Sequence, residues 1–239
     1  MDQFNEIINT FFFIILPYLS IFTFLLVSIY RYRSRSFVYS SLSSQFLENR
    51  QHFWGMVPFH YGILTILAGH LAWFLFPETT LLWNSVPLRL YIMEVSVFIF
   101  GLITFTGLIN IIIRRRSDKK TRVTTTATDW IVLILLTIQI MSGLYVAFFY
   151  RWGSSWFASS MSPYLYSIFK FNPDLAFISS MPFMVKLHII SAFSIILLFP
   201  FTRLVHVLVV PNPYLWRKPQ VVRWNWDRKK IRDIENNSI

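Results

Sequence analysis

The chain has 239 residues, of which 55% are hydrophobic, and its mean hydropathy is +0.51. This composition excludes one ordinary soluble domain, and because cysteine is absent, no disulfide, iron–sulfur cluster or thioether-linked haem can form on the chain. The formal net charge is +11, but the basic residues flank apolar segments, which favours anionic lipids over nucleic acid as partners.

Five apolar segments are long enough to cross a bilayer, whose ~30 Å hydrocarbon core requires about 20 helical residues. Backbone groups in lipid must bond within their own segment, so we predict helices, and the alternation expected of a membrane barrel is absent. The prediction is an all-α protein whose five transmembrane helices form a bundle and a single domain over 1–239. The helices are predicted at 8–30, 56–76, 90–113, 128–150 and 184–210, followed by a basic tail at 211–239.

The basic residues indicate the orientation of this bundle. If the five helices alternate in direction, 18 of the 22 Lys and Arg residues fall on one side, which the positive-inside rule assigns to the cytoplasm. We therefore predict a multi-pass protein of a prokaryotic cytoplasmic membrane, with the N-terminus outside and the C-terminus cytoplasmic. The first segment follows acidic residues and has no small-residue cleavage site, so we expect a retained membrane helix rather than a signal peptide.

Histidines occur in pairs on the second and the last segment. His60 and His70 are ten residues apart, about 15 Å along a helix, whereas His188 and His206 are eighteen apart, about 27 Å and five full turns. The two segments run antiparallel, since an odd number of connections separates them. His60 and His206 are therefore predicted near the cytoplasmic side, and His70 and His188 near the outside.

Ionisable side chains inside a membrane are costly and usually functional, and imidazole is a common axial ligand of haem iron. One such histidine would be a polar core residue, but two pairs at matched depth favour two haems, each held between both helices. The unequal spacings require a tilt, a shift, or a kink at Pro200. Gly62 and Gly69 either leave room for a macrocycle or allow close helix packing. His52, in a polar stretch before its segment, is predicted to lie at the surface.

Two charged residues lie at the predicted cytoplasmic ends of the fourth and fifth segments. Arg203 precedes His206 by about one turn and needs an anion, which a haem propionate would supply; snorkelling to the interface is the alternative. Asp129 opens the fourth segment after a run of threonines and is predicted to be its N-cap.

Several motifs are spaced along nearly the whole chain: FH at 59–60, GH at 69–70, RVTTT at 122–126, FNPD at 171–174, KLH at 186–188 and FPFTRLVH at 199–206. In these motifs the chain resembles the gamma, cytochrome b subunit of membrane-bound respiratory nitrate reductases. The resemblance implies a five-helix protein with two b haems. His60 and His206 would ligate the inner haem iron, and His70 and His188 the outer one.

The resemblance also implies partners and a reaction. Quinol would be oxidised near the outer haem, and electrons would pass to an iron–sulfur beta subunit and a molybdenum-containing alpha subunit in the cytoplasm. The family has a lysine near the start of the third helix, and the basic residue nearest to that point in this chain is Arg89. Arg89 and Glu94 are the candidates for the quinol site, because a membrane carboxylate suits proton transfer; an interfacial position is the alternative for Glu94.

Other functions remain open at this point. The chain could be the cytochrome b subunit of a related complex, such as a nitrite oxidoreductase or a sulfur-cycle enzyme, because the terminal substrate belongs to other subunits. Functions of another class are a haem-free membrane anchor, which would be colourless, and a transporter, which would have broken helices and a polar path near the midplane.

Overall fold

The computed structural model describes residues 2–34 and 50–209, which are helical apart from short connections. Five helices are long and apolar enough to cross a membrane, which confirms the predicted all-α fold; we call them the first to fifth spans. Their helical residues are Asp2–Thr10, Phe11–Ile15 and Leu16–Ser34 for the first span, then Arg50–Leu75, Pro87–Ser117 and Ala127–Phe149. The fifth span is the α-helix Phe183–Leu198 with the 3₁₀ turn Phe199–Phe201 that follows it. The predicted tail 211–239 and residues 35–49, between the first and second spans, lie outside the described residues.

The third span is longer than its apolar run, which predicted only 90–113. It begins with Pro87, whose missing N–H costs nothing in the first turn of a helix. Its last turn carries three arginines at 114–116, whose positive charges are favourable beside the negative end of the helix dipole. We call the end of the bundle that carries these arginines the basic end.

The fourth span begins with a capping box, and its N-cap is Thr126 rather than Asp129. The Asp129 N–H donates to Thr126 Oγ1 (3.3 Å), and the Thr126 N–H donates to Asp129 Oδ2 (2.9 Å). The prediction that Asp129 is the N-cap was therefore wrong, because the N-cap lies three residues earlier. A short polar residue near a helix start is compatible with both positions, and only the reciprocal pair of bonds distinguishes them.

The fifth segment is not one helix over 184–210, as predicted. The α-helix ends at Leu198, and two short 3₁₀ helices follow, Phe199–Phe201 and Arg203–Val209, separated by extended backbone at Thr202. Pro200 explains the break, because its ring has no N–H to donate and clashes with the preceding turn. The break lies at Pro200, where the sequence predicted a kink as one way of reconciling the two histidine spacings.

The second and third spans pack closely through glycines. A Cβ on Gly62 would lie 2.2 Å from Thr104 Oγ1, and a Cβ on Gly107 would lie 2.5 Å from the backbone nitrogen of Phe59. The sequence left two interpretations of Gly62, room for a macrocycle or close helix packing, and its contact with Thr104 shows that it serves close packing. Gly69 differs, because a Cβ there would meet only one side-chain atom, at 3.8 Å.

Short helices connect the spans at the end opposite the basic end. They are Pro77–Asn84, the consecutive stretches Gly153–Trp156, Phe157–Met161 and Ser162–Phe169, and Ala176–Ser179. The longest of these connections is joined to the first span by Tyr164, whose side chain is fully buried. Its hydroxyl donates to the carbonyl oxygen of Phe13 (2.7 Å), within the π-helical turn Phe11–Ile15. Burial raises the pKa of Tyr164, so the hydroxyl keeps the proton that it donates.

Replacing Tyr164 by phenylalanine is expected to lower the free energy of unfolding by about 1–3 kcal/mol, because the buried Phe13 carbonyl loses its partner. Thermal unfolding of the detergent-solubilised protein would measure this. Tyr61→Phe is a matched control, because the Tyr61 side chain is 72% exposed and its replacement is expected to change little. Equal unfolding temperatures for the two variants would contradict the importance of this contact.

Candidate functional site

The structure brings the four membrane histidines together in two pairs. The ring centres of His60 and His206 lie 6.0 Å apart with an interplanar angle of 71°, and those of His70 and His188 lie 6.4 Å apart at 35°. Each pair joins the second span to the fifth segment. Straight helices would separate the two histidines of each segment by about 15 Å and about 27 Å. The break after the fifth α-helix reconciles these unequal spacings.

The separation of the rings suits a metal held between them. Two imidazole nitrogens, each about 2 Å from one metal ion, place the ring centres about 6 Å apart. Both pairs have this separation, so a metal ion between the rings accounts for it without a hydrogen bond from one ring to the other. Among the described residues no group of three or more His, Cys, Asp and Glu side chains could hold a metal ion. The two imidazole pairs are the candidate donor sets.

The hydrogen bonds of the rings leave the correct nitrogen for a metal. In His60, Nδ1 lies 2.7 Å from the carbonyl oxygen of Met56. In His70, Nδ1 lies 2.9 Å from the carbonyl oxygen of Ile66. In His206, Nδ1 lies 2.7 Å from the carbonyl oxygen of Arg203. A carbonyl only accepts, so each Nδ1 carries the proton and Nε2 keeps its lone pair. Metal-ligating histidines characteristically have this arrangement.

His188 is oriented by the fourth span. Its Nδ1 lies 3.0 Å from the carbonyl oxygen of Gln139 and 3.0 Å from Ser142 Oγ, and its Nε2 lies 3.1 Å from the Gln139 amide nitrogen. The Ser191 hydroxyl donates to Gln139 Oε1, so the Gln139 NH₂ group is the one that faces the ring. Nε2 of His188 is thus the acceptor, and an iron on this nitrogen would take the same lone pair.

The fourth span approaches His188 at a glycine. A Cβ on Gly143 would lie 2.8 Å from Cε1 of His188 and 3.4 Å from its Nδ1, so only glycine leaves space for the ring. Neither Gly143 nor Gln139 was predicted from the sequence. A polar amide within the apolar run of the fourth segment was the available signal for Gln139, since such side chains usually find a partner inside the bundle.

Aromatic side chains surround His70. The ring centres of Trp73 and His70 lie 5.1 Å apart. The ring centre of Phe157 lies 5.2 Å from that of His70, in an edge-on arrangement. Phe157 belongs to the short π helix between the fourth and fifth spans. Trp73 and Phe157 also contact each other at 5.8 Å. The surroundings of His70 are therefore aromatic, whereas those of His188 are polar.

The two candidates for the quinol site have different partners. The carboxylate of Glu94 accepts hydrogen bonds from the N–H of Gly153 (3.1 Å) and from the N–H (2.9 Å) and hydroxyl (2.6 Å) of Ser154, at the start of a short helix. The guanidinium of Arg89 lies 5.0 Å above the ring of Trp83. Glu94 thus anchors the connection that carries Phe157, as an anion at a helix N-terminus. A quinol contact by either residue stays a prediction.

Arg203 has a protein anion as partner. Its Nε lies 3.1 Å from Asp129 Oδ1, and its Nη2 donates to the carbonyl oxygen of Thr124 (3.0 Å). Asp129 is only 7% exposed and also lies 3.5 Å from Nη1 of Arg115. The anion that Arg203 requires is therefore available without a cofactor, and the predicted contact to a haem propionate stays a prediction.

Comparison with known proteins gives one matching family and several relatives whose names agree with it. The family "Nitrate reductase gamma subunit" matches residues 9–225. The chain is 33% identical over 213 residues to the nitrate reductase gamma chain of Bacillus subtilis (strain 168), covering 87% of this chain and 95% of that one. It is 34% identical over 227 residues to the respiratory nitrate reductase 2 gamma chain of Escherichia coli (strain K12), covering 91% and 98%. The respiratory nitrate reductase 1 gamma chain of the same organism is 30% identical over 223 residues, covering 91% and 98%.

Proposed function

This chain belongs to the nitrate reductase gamma subunit family, and from that premise we propose that it is a dihaem cytochrome b that oxidises membrane quinol for a nitrate reductase. Membership makes the chain a multi-pass membrane subunit of an oxidoreductase complex. The number of haems, the electron donor and the electron route belong to the proposal.

The observation that carries the proposal is the two imidazole pairs, whose ring centres lie 6.0 Å apart in one pair and 6.4 Å apart in the other. His60 and His206 would hold one haem, and His70 and His188 the other, each through Nε2. Haem bound in this way would supply a one-electron redox centre near each end of the bundle. The carbonyl groups that accept from Nδ1 would fix the tautomer and the orientation of the imidazoles.

We place quinol oxidation at the His70–His188 end. The apolar aromatic surroundings of His70, made by Trp73 and Phe157, suit the ring and tail of a membrane quinol. Glu94 holds the connecting helix over this end through its bonds to Gly153 and Ser154. Arg89 and Glu94 are retained as candidate contacts for the quinol itself.

We place the partner subunits at the basic end, beside His60 and His206. The arginines at 114–116 end the third span there, and the positive-inside rule assigns this side to the cytoplasm. The iron–sulfur beta subunit and the molybdenum-containing alpha subunit would accept electrons from this end. Since the chain has no cysteine, the next redox centre must belong to such a partner.

Reduced-minus-oxidised spectra of the purified chain, combined with haem counting, test the proposal. We expect b-type absorbance and two haems per chain, and we expect a soluble quinol to reduce both of them. A colourless protein would instead support a membrane anchor or a transporter. Haems that quinol does not reduce would contradict the proposed electron donor.

Gly143→Ala is expected to weaken haem binding at the His70–His188 pair, because the new Cβ would lie 2.8 Å from the His188 ring. Haem counting should show a fall from two haems towards one. Gly101→Ala is the matched control on the third span, since its Cβ would meet only the flexible end of Leu144. The role of Gly143 would be disproved by the same haem content in both variants.

A further inference from the structure

The segment that carries His206 is weakly supported by its own backbone. It is a seven-residue 3₁₀ helix, Arg203–Val209, separated from the α-helix of the fifth span by the break at Phe199–Thr202. A 3₁₀ helix has poorer hydrogen-bond geometry than an α-helix and is rarely longer than one turn or so. Contacts from other spans must therefore hold this segment. The turn that precedes it is held by the bond that Arg31 of the first span donates to the Pro200 carbonyl.

Asp129 supplies the contact on the other side. It lies in the first turn of the fourth span, where the capping box and Arg115 hold its carboxylate in place. This carboxylate pairs with Nε of Arg203, the first residue of the 3₁₀ helix. Arg203 also donates to the Thr124 carbonyl, so its guanidinium is fixed at two points.

The same arginine is bonded to the histidine ring. The backbone carbonyl of Arg203 accepts from Nδ1 of His206 (2.7 Å), which is the bond that sets the tautomer and the direction of Nε2. Displacing Arg203 would therefore displace the acceptor that orients this imidazole. Asp129, Arg203 and His206 are joined by two contacts, which lead from the capped start of the fourth span to a candidate iron ligand.

We propose that Asp129 is a positioning residue for the haem iron ligand His206, acting through Arg203. The inference rests on the proposed function, since it assigns His206 to a haem. Asp129 is itself an anion and has no favourable contact to offer a haem propionate. Its effect on haem binding would therefore come from positioning, whereas Arg203 could act in either way.

The experiment uses two backgrounds in which one haem remains. In the full-length His70→Ala protein the remaining haem is at His60–His206, and adding Asp129→Asn is expected to weaken its binding about tenfold, as for other outer-shell partners of metal ligands. The low-spin spectrum of any residual haem should also shift. In the His60→Ala protein the same change is expected to leave the haem at His70–His188 unaltered, which shows that the variant folds.

Two further variants separate positioning from helix capping. Thr126→Ala removes the N-cap side chain but keeps the Asp129–Arg203 pair, so it is expected to leave the His60–His206 haem in place. Asp129→Asn combined with Arg203→Gln should be no worse than Arg203→Gln alone, because both changes break the same link.

Unchanged binding and spectrum of the His60–His206 haem in the Asp129→Asn protein would overturn the inference and leave the proposed function intact. Equal loss of both haems would also overturn it, since the effect would then be general unfolding. If the unmodified chain binds no haem, the proposed function fails first.

Discussion

Replacing His70 by alanine is expected to leave one haem per chain and to abolish nitrate reduction driven by quinol. The reason is that the His70–His188 pair, whose ring centres lie 6.4 Å apart, loses one of its two imidazoles. Nitrate reduction driven by a reduced soluble dye should continue, because the dye donates directly to the partner subunits. Haem counting and the two activities, measured on the same membranes, check this prediction.

His52→Ala is the control for that experiment, since this histidine precedes the second apolar segment in a polar stretch. It should keep both haems and both activities. Two haems in the His70→Ala protein would refute the assignment of His70 as a ligand. Loss of both activities would instead indicate that the complex had not assembled.

Replacing Gly107 by alanine is expected to destabilise the bundle by about 3 kcal/mol, near the upper end of overpacking effects. The new Cβ would lie 2.5 Å from the backbone nitrogen of Phe59 and 2.9 Å from the carbonyl oxygen of Gly55, and neither backbone atom can rotate away as a side chain could. The second and third spans would have to separate, which would move His60. The amount of folded protein in the membrane and its unfolding temperature in detergent measure the effect.

Gly69→Ala serves as the comparison on the second span. A Cβ there would meet only the Trp73 ring, at 3.8 Å, which is an ordinary contact distance. Its unfolding temperature should stay close to that of the unmodified chain. If both glycine variants unfold at the same temperature, close packing at Gly107 does not limit the stability of this bundle.

Sequence patterns were informative where the bilayer itself imposes the structure. A backbone in hydrocarbon must bond internally over about 30 Å, so run length alone predicts five helices and their antiparallel order. Depth follows from position along each run, which is why His60 could be matched with His206, and His70 with His188. The ends were less predictable, since the third span continues through the arginines at 114–116 as an α-helix.

Contacts between spans were less accessible. Apolar residues cover all sides of these helices, so periodicity does not reveal which face meets which neighbour. Gln139 and Gly143 on the fourth span were missed as the residues that surround His188, and Glu94 was not recognised as an anchor for Gly153 and Ser154. These roles depend on distances across the bundle.

By itself, the sequence determined the membrane class, the number of spans and the depth of each histidine, because all three follow from how long and how apolar each run is. Only the tertiary structure decided that a 3₁₀ helix follows Pro200, that Gln139 orients His188 and that Asp129 holds Arg203. Those features arise when backbone groups freed at Pro200 and charges near the basic end find partners on other spans. Such partners are distant along the chain, and packing alone brings them together.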